Sequence, residues 1–162
     1  MTMTPEACQF SINMLLEQET DLTGQLSTLL DNEYAAITGK DFETFEQTIR
    51  DKTLTVEQLE LLEKERISLL ESAGYEPGPE GILLFMQWCD PGQDITPRWE
   101  QLLTLAAKCR EKNRRNRQLI DLCSRHTRET LRILRGEEAQ QDIYQADGDT
   151  DGGHDRRTLA RV

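Results

Sequence analysis

Helix breakers in this chain fall in a few narrow windows, and between those windows run long stretches that nothing interrupts. Pro5 precedes the first stretch, Pro77 and Pro79 lie in "GYEPGPEG", Pro91 lies in "DPGQD", and Pro97 follows shortly after. Proline fixes φ and lacks an amide hydrogen, so it suits the first turn of a helix and disrupts an interior one. Within the uninterrupted stretches apolar residues recur at helical spacing. Cys8, Ile12, Leu15, Leu22, Leu26 and Leu29 form one stripe, widened by Leu16, Leu30, Tyr34 and Ile37. Thr4 is its expected cap, Gly39 its stop, and Asp41 the cap of the next helix. That second helix presents Phe42, Phe45, Ile49, Val56, Leu59, Leu62 and Leu69 on one face and ends near Gly74. A short apolar stretch from Ile82 to Cys89 reads as a plug against the longer helices. Thr96 as cap and Pro97 in the first turn start a last helix, closed by Gly136, of roughly 60 Å at 1.5 Å per residue. The expected fold is all-α: an elongated antiparallel helical bundle of three long helices and one short helix over residues 1–136. Residues 137–162, rich in Gly and Asp with few apolar side chains, are expected to be a flexible acidic tail. No strand pattern or internal repeat is visible.

Charge is unevenly spread over these parts. The formal charge of −11 divides into −12 for residues 1–80, +5 for 81–136 and −4 for 137–162. An acidic first half and a basic second half can pair when the chain folds back on itself. The overall negative charge disfavours nonspecific attraction to nucleic acid or to an anionic membrane. The longest aliphatic and aromatic run, Ile82 to Met86, is far too short to span a bilayer, and the N-terminus carries no targeting pattern. Cys8, Cys89, Cys109 and Cys123 are well separated, without CxxC spacing, so a disulfide framework is not expected and the cytoplasm is the expected compartment. Cys109 and Cys123 fall in core register on the last helix and are expected to be small buried hydrophobes.

Catalytic and metal chemistry find little support. Asp147, Asp149, Asp151 and Gly152 imitate the opening of a calcium-binding EF-hand loop. Position twelve, which should be a bidentate acid, is Thr158, and His154 stands at the usually aliphatic position eight. His126 and Glu129 share a helix face, but a carboxylate-bridged metal site needs several such pairs. There is no phosphate-binding glycine loop, no nucleophile elbow and no zinc spacing. The expectation is a non-enzymatic protein without metal or cofactor.

One window of the last helix, "CREKNRRNRQ" at 109–118, goes polar on its inward face. Alternating threes and fours from Trp99 give Leu102, Ala106, Cys109, Asn113, Asn116, Ile120, Cys123, Thr127, Thr130 and Leu134 as the seam. Asparagine at such positions trades stability for register, because a mispaired arrangement leaves its amide unsatisfied. Leucine at both Asn113 and Asn116 is then expected to raise stability and loosen uniqueness. The surrounding bases (Lys108, Arg110, Lys112, Arg114, Arg115 and Arg117) are expected to point outward, toward the acidic helices or a partner.

The strings "CREKNRRNRQLI", "TRETLRILRG", "IYQADG" and "RRTLARV", in that order, resemble the FlgN-type flagellar export chaperones. The N-terminal text "LLDNEYAAITGKDFETFEQTIRDKTLTVEQLELLEKERISLLESAG" is similar to that family's helical hairpin, so the resemblance covers nearly the whole chain. It implies a cytoplasmic chaperone without ATPase activity. Such a protein would bind hook-associated proteins of the hook–filament junction, hold them unassembled, and deliver them to the flagellar type III export apparatus. Secretion clients of this kind polymerise through terminal helices, which an amphipathic helix can occlude. The docking residues expected here are Leu119, Ile120, Leu131, Ile133 and Leu134 on the last helix, with Ile143 and Tyr144 as tail anchors. Leu119 and Leu131 lie off the inward seam, where apolar side chains mark a binding patch. A self-associating coiled-coil scaffold and a nucleic-acid-binding adaptor are the alternatives. The first predicts a concentration-dependent mass and the second a steep salt dependence.

Overall fold

The structure is a computed structural model that describes residues 3–136, all of whose regular elements are helices. They are α1 (Pro5–Gly39), α2 (Phe42–Ser72), α3 (Pro79–Cys89) and α4 (Thr96–Leu134). Contacts divide the chain into two compact units between Arg125 and His126, within α4. The tail, with Ile143, Tyr144 and the EF-hand-like aspartates, lies outside the described residues.

Local chemistry sets the helix ends. Thr4 Oγ1 accepts the amide of Ala7 at 3.3 Å, and Pro5 opens α1 as expected. At its other end the turn closes one residue later than the glycine suggests. Gly39 is still helical, and Lys40 takes the left-handed conformation with φ 54°. The Lys40 amide donates to the Ile37 carbonyl oxygen and that of Asp41 to Ala36, a paired closure of the final turn. Asp41 then caps α2 by accepting from the Thr44 amide at 3.1 Å and its hydroxyl at 2.6 Å. Those bonds hold the Asp41 carboxyl below its ordinary value. Two residues thus link the two helices. Gly74, with φ 87°, ends α2 in the same manner, its neighbour Tyr75 donating to Leu70. Ile95, rather than Thr96, provides the first carbonyl acceptor of α4, and Thr96 is the first helical residue.

Pairing distances give the direction of each helix. Glu33 meets Lys52 and Glu19 meets Arg66, so α1 and α2 run antiparallel. Thr23 meets Cys109 and Leu30 meets Asn116, so α4 runs parallel to α1 and antiparallel to α2. The bundle of three long helices and one short helix is as expected from the sequence. α3 packs on α1 and α2, where Ile82, Phe85, Met86 and Cys89 join Cys8, Ile12, Leu16, Leu69 and Leu70 in the apolar core. Tyr75, Phe85 and Trp88 stack around this plug with centroids 5.6 to 6.1 Å apart. Buried Asp90 ties the following loop, accepting from the amides of Asp94 and Ile95 and from Gln9 Nε2.

The seams differ from the apolar stripes in an instructive way. On α1 the buried line passes through Leu16, Glu19, Thr23, Leu30 and Glu33, while Leu15, Leu22, Leu26 and Leu29 are half-buried and Tyr34 is exposed. On α2 the buried residues are Thr48, Thr55, Leu62, Leu69 and Leu70, whereas Phe42 is 79% exposed. The two threonines can be buried because their hydroxyls donate to carbonyls one turn back, Thr44 and Asp51. On α4 the expected seam holds from Trp99 to Ile120 and then ends: Cys123, Thr127, Thr130 and Leu134 are exposed. Cys123 is therefore not the buried hydrophobe expected, although Cys109 is. The α1–α4 register places the stop within the last turn of α1, where Cys123 is level with Ile37. Carried on from Thr23–Cys109 and Leu30–Asn116, it brings Gly39, the last residue of α1, level with Arg125.

Candidate partner-binding site

Two polar nodes join α1, α2 and α4. In one, Glu33 is 1% exposed and accepts from Lys52 Nζ at 2.6 Å and from Asn116 Nδ2 at 2.7 Å. Asn116 Nδ2 also donates to the Leu30 carbonyl oxygen at 2.8 Å, and Arg115 Nε donates to its Oδ1 at 3.3 Å. In the other, Arg66 Nε reaches both carboxylate oxygens of buried Glu19 at 3.1 Å, and its guanidinium lies 5.3 Å from the Trp99 ring centroid. Burial raises the Glu19 carboxyl above its ordinary value, and Arg66 offsets only part of that shift. Each charge is paired inside the bundle, as burial requires.

Beside the Glu33 node a groove of about 550 Å³ opens between α2 and α4. Leu26 and Leu30 of α1 form its floor. Ile49, Val56 and Leu59 line it from α2, and Ala106, Asn113 and Ile120 from α4. Small Ala106 and half-buried Asn113 stand where large apolar side chains would close the seam. The basic residues of this window divide by role. Lys112 bonds Ser27 and Asp31 of α1, and Arg115 pairs with Asp31 at 3.7 Å and stacks 4.0 Å over the Tyr34 ring. Arg114 pairs with Glu111 on its own helix. Arg110 and Arg117 line the groove and form no hydrogen bond or ion pair among the described residues.

The expected docking residues are placed differently from one another. Leu119 is half-buried, and Ile120 belongs to the groove. Leu131, Ile133 and Leu134, in the last turns of α4, are 44%, 65% and 77% exposed. Ile143 and Tyr144 lie outside the described residues. Sequence reasoning missed Leu122, which is 57% exposed, and the groove itself. The signal for the groove was present in the small and polar side chains at Ala106 and Asn113 within an otherwise apolar seam. Among the described residues no group of three or more His, Cys, Asp or Glu side chains could hold a metal ion, and no helix is long and apolar enough to cross a membrane.

A family model described as "FlgN protein" matches residues 9–152, almost the whole chain. No curated protein and no solved structure matches it.

Proposed function

The chain belongs to the FlgN family of flagellar export chaperones, and we propose that its clients are the hook-associated proteins of the hook–filament junction. In this reading it binds their polymerising helices in the cytoplasm, keeps them unassembled, and hands them to components of the type III export apparatus. The observation that carries it is the end of α4. A soluble helix ordinarily turns its large apolar residues inward, yet Leu131, Ile133 and Leu134 are exposed together within one turn. Helical clients that assemble by burying an amphipathic face offer a matching surface. Ile143 and Tyr144 are proposed as two further anchors.

The test is co-expression with each hook-associated protein, followed by affinity capture and light scattering of the client alone and in complex. Capture of a defined heterocomplex that suppresses client assembly is expected. Failure to capture any hook-associated protein, with a mass that grows with the protein's own concentration, would favour a self-associating scaffold instead.

A further inference from the structure

We propose that the groove between α2 and α4 receives one acidic amphipathic helix of the client, clamped by Arg110 and Arg117; this rests on the export-chaperone reading above. The shape of the groove selects a helix. Ala106, Asn113 and Ile120 repeat every seven residues along one wall, as do Ile49 and Val56 along the other, so the walls run with the helix axes. From Ala106 to Ile120 the groove extends about 21 Å at 1.5 Å per residue, enough for roughly four turns of an added helix. An incoming helix would cover Ile49, Val56 and Ile120 and give the α2–α4 side the close packing that it lacks.

The charge of the lining selects the helix's edge. The Glu33 carboxylate already accepts from Lys52 and Asn116, so it offers little to a visiting base. The charges left over are two guanidinium groups, Arg110 and Arg117, seven residues apart on α4. Both present planar donor pairs suited to carboxylates. A helix with leucine-like residues on one face and two acids about two turns apart on one edge satisfies both features at once. Apolar walls are a poor match for a phosphodiester backbone, so nucleic acid fits less well.

The probe is a synthetic amphipathic peptide of about eighteen residues built from Leu, Ala and Glu, compared with its counterpart carrying Lys for Glu. Binding to the full-length protein is followed by calorimetry and by methyl NMR. The Glu peptide is expected to bind about tenfold more tightly than the Lys peptide, and the Arg110→Glu/Arg117→Glu variant to reverse that preference. Methyl shifts should fall on Ile49, Val56, Leu59 and Ile120, and Val56→Trp should abolish them. Equal binding of the two peptides, no binding of the Glu peptide, or shifts confined to Leu131, Ile133 and Leu134 would overturn the proposal. So would groove methyl shifts caused by removing residues 137–162 with no peptide present, which would give the groove to the chain's own end. A separate arm uses the hook-associated proteins. Undiminished capture by the Arg110→Glu/Arg117→Glu variant overturns the groove and spares the chaperone reading. Peptide binding without capture of any hook-associated protein by the unmodified protein overturns the chaperone reading.

Discussion

At Asn116 the amide nitrogen donates to two acceptors on α1. A leucine, which is larger, would remove both bonds, and although the Leu30 carbonyl keeps the amide donor of its own helix, one oxygen of buried Glu33 would lose its donor. A buried acceptor left without its donor costs about 1–3 kcal/mol, more than the extra apolar area returns at this site. Asn116→Leu should therefore lower stability by that amount in urea unfolding. Asn113→Leu, facing the groove, should be neutral or slightly stabilising. The sequence-based expectation that both leucines stabilise thus divides between the two positions, because only one amide has specific partners. Glu19 yields a prediction about pH. Its carboxyl is raised above the usual 4.5 chiefly by burial, with Arg66 lowering it and Glu63 raising it further. Between 4.5 and that raised value the native state holds the proton more firmly than the unfolded chain, so the group's contribution to stability falls as pH rises. That contribution is fully present below 4.5 and has been lost above the raised value, where the dependence is flat. Glu19→Gln should gain on the wild type as pH climbs through this window and keep its advantage at neutrality, in denaturant melts at matched pH. A difference that shrinks as pH rises would show that the Arg66 pair outweighs burial.

Among the helices, two glycines separate propensity from packing. A Cβ at Gly24, in the middle of α1, would meet nothing, so Gly24→Ala should raise stability by about 0.5–1 kcal/mol by reducing unfolded-state entropy. A Cβ at Gly81, in the first turn of α3, would collide with the backbone carbonyl oxygen of Glu76. Gly81→Ala should then lower stability by about 1–3 kcal/mol, since backbone rather than a flexible side chain must move. Urea midpoints for the two variants, with opposite signs, check both. Most helix ends were legible in the sequence to within a residue or two, because caps, prolines and glycines act locally. The exception is α3, which starts at Pro79, three residues before Ile82, because a proline in the first turn opens a helix as readily as it breaks one. Seams were legible only where burial is apolar. Glu19, Glu33, Thr48 and Thr55 are buried because partners or their own helix satisfy them, and those partners lie far away in sequence or depend on a rotamer. The end of the α4 seam near Ile120 was hidden for a related reason. It depends on where α1 stops, and periodicity within one helix carries no such information.

For the molecule as a whole, the acidic first half and basic second half do pair, through Glu17–Arg98, Asp31–Lys112 and Asp31–Arg115, but these exposed contacts are worth little individually. Stability is better sought in the α3 core and the two buried nodes, all of which lie before residue 126. Leu131 and Leu134 contribute to none of them. Serine at both positions should change the unfolding free energy by no more than about 0.5 kcal/mol, as expected for exposed sites away from any packed feature. If they are client anchors, the same Leu131→Ser/Leu134→Ser protein should bind a hook-associated protein at least tenfold more weakly, about 1.4 kcal/mol or more, because few residues carry most interface energy. Calorimetric titration beside circular dichroism melts separates the two effects. Unchanged affinity would move recognition away from the end of α4. A melt lowered by many degrees would mean that these leucines belong to the fold and that their exposure has another cause than a waiting partner.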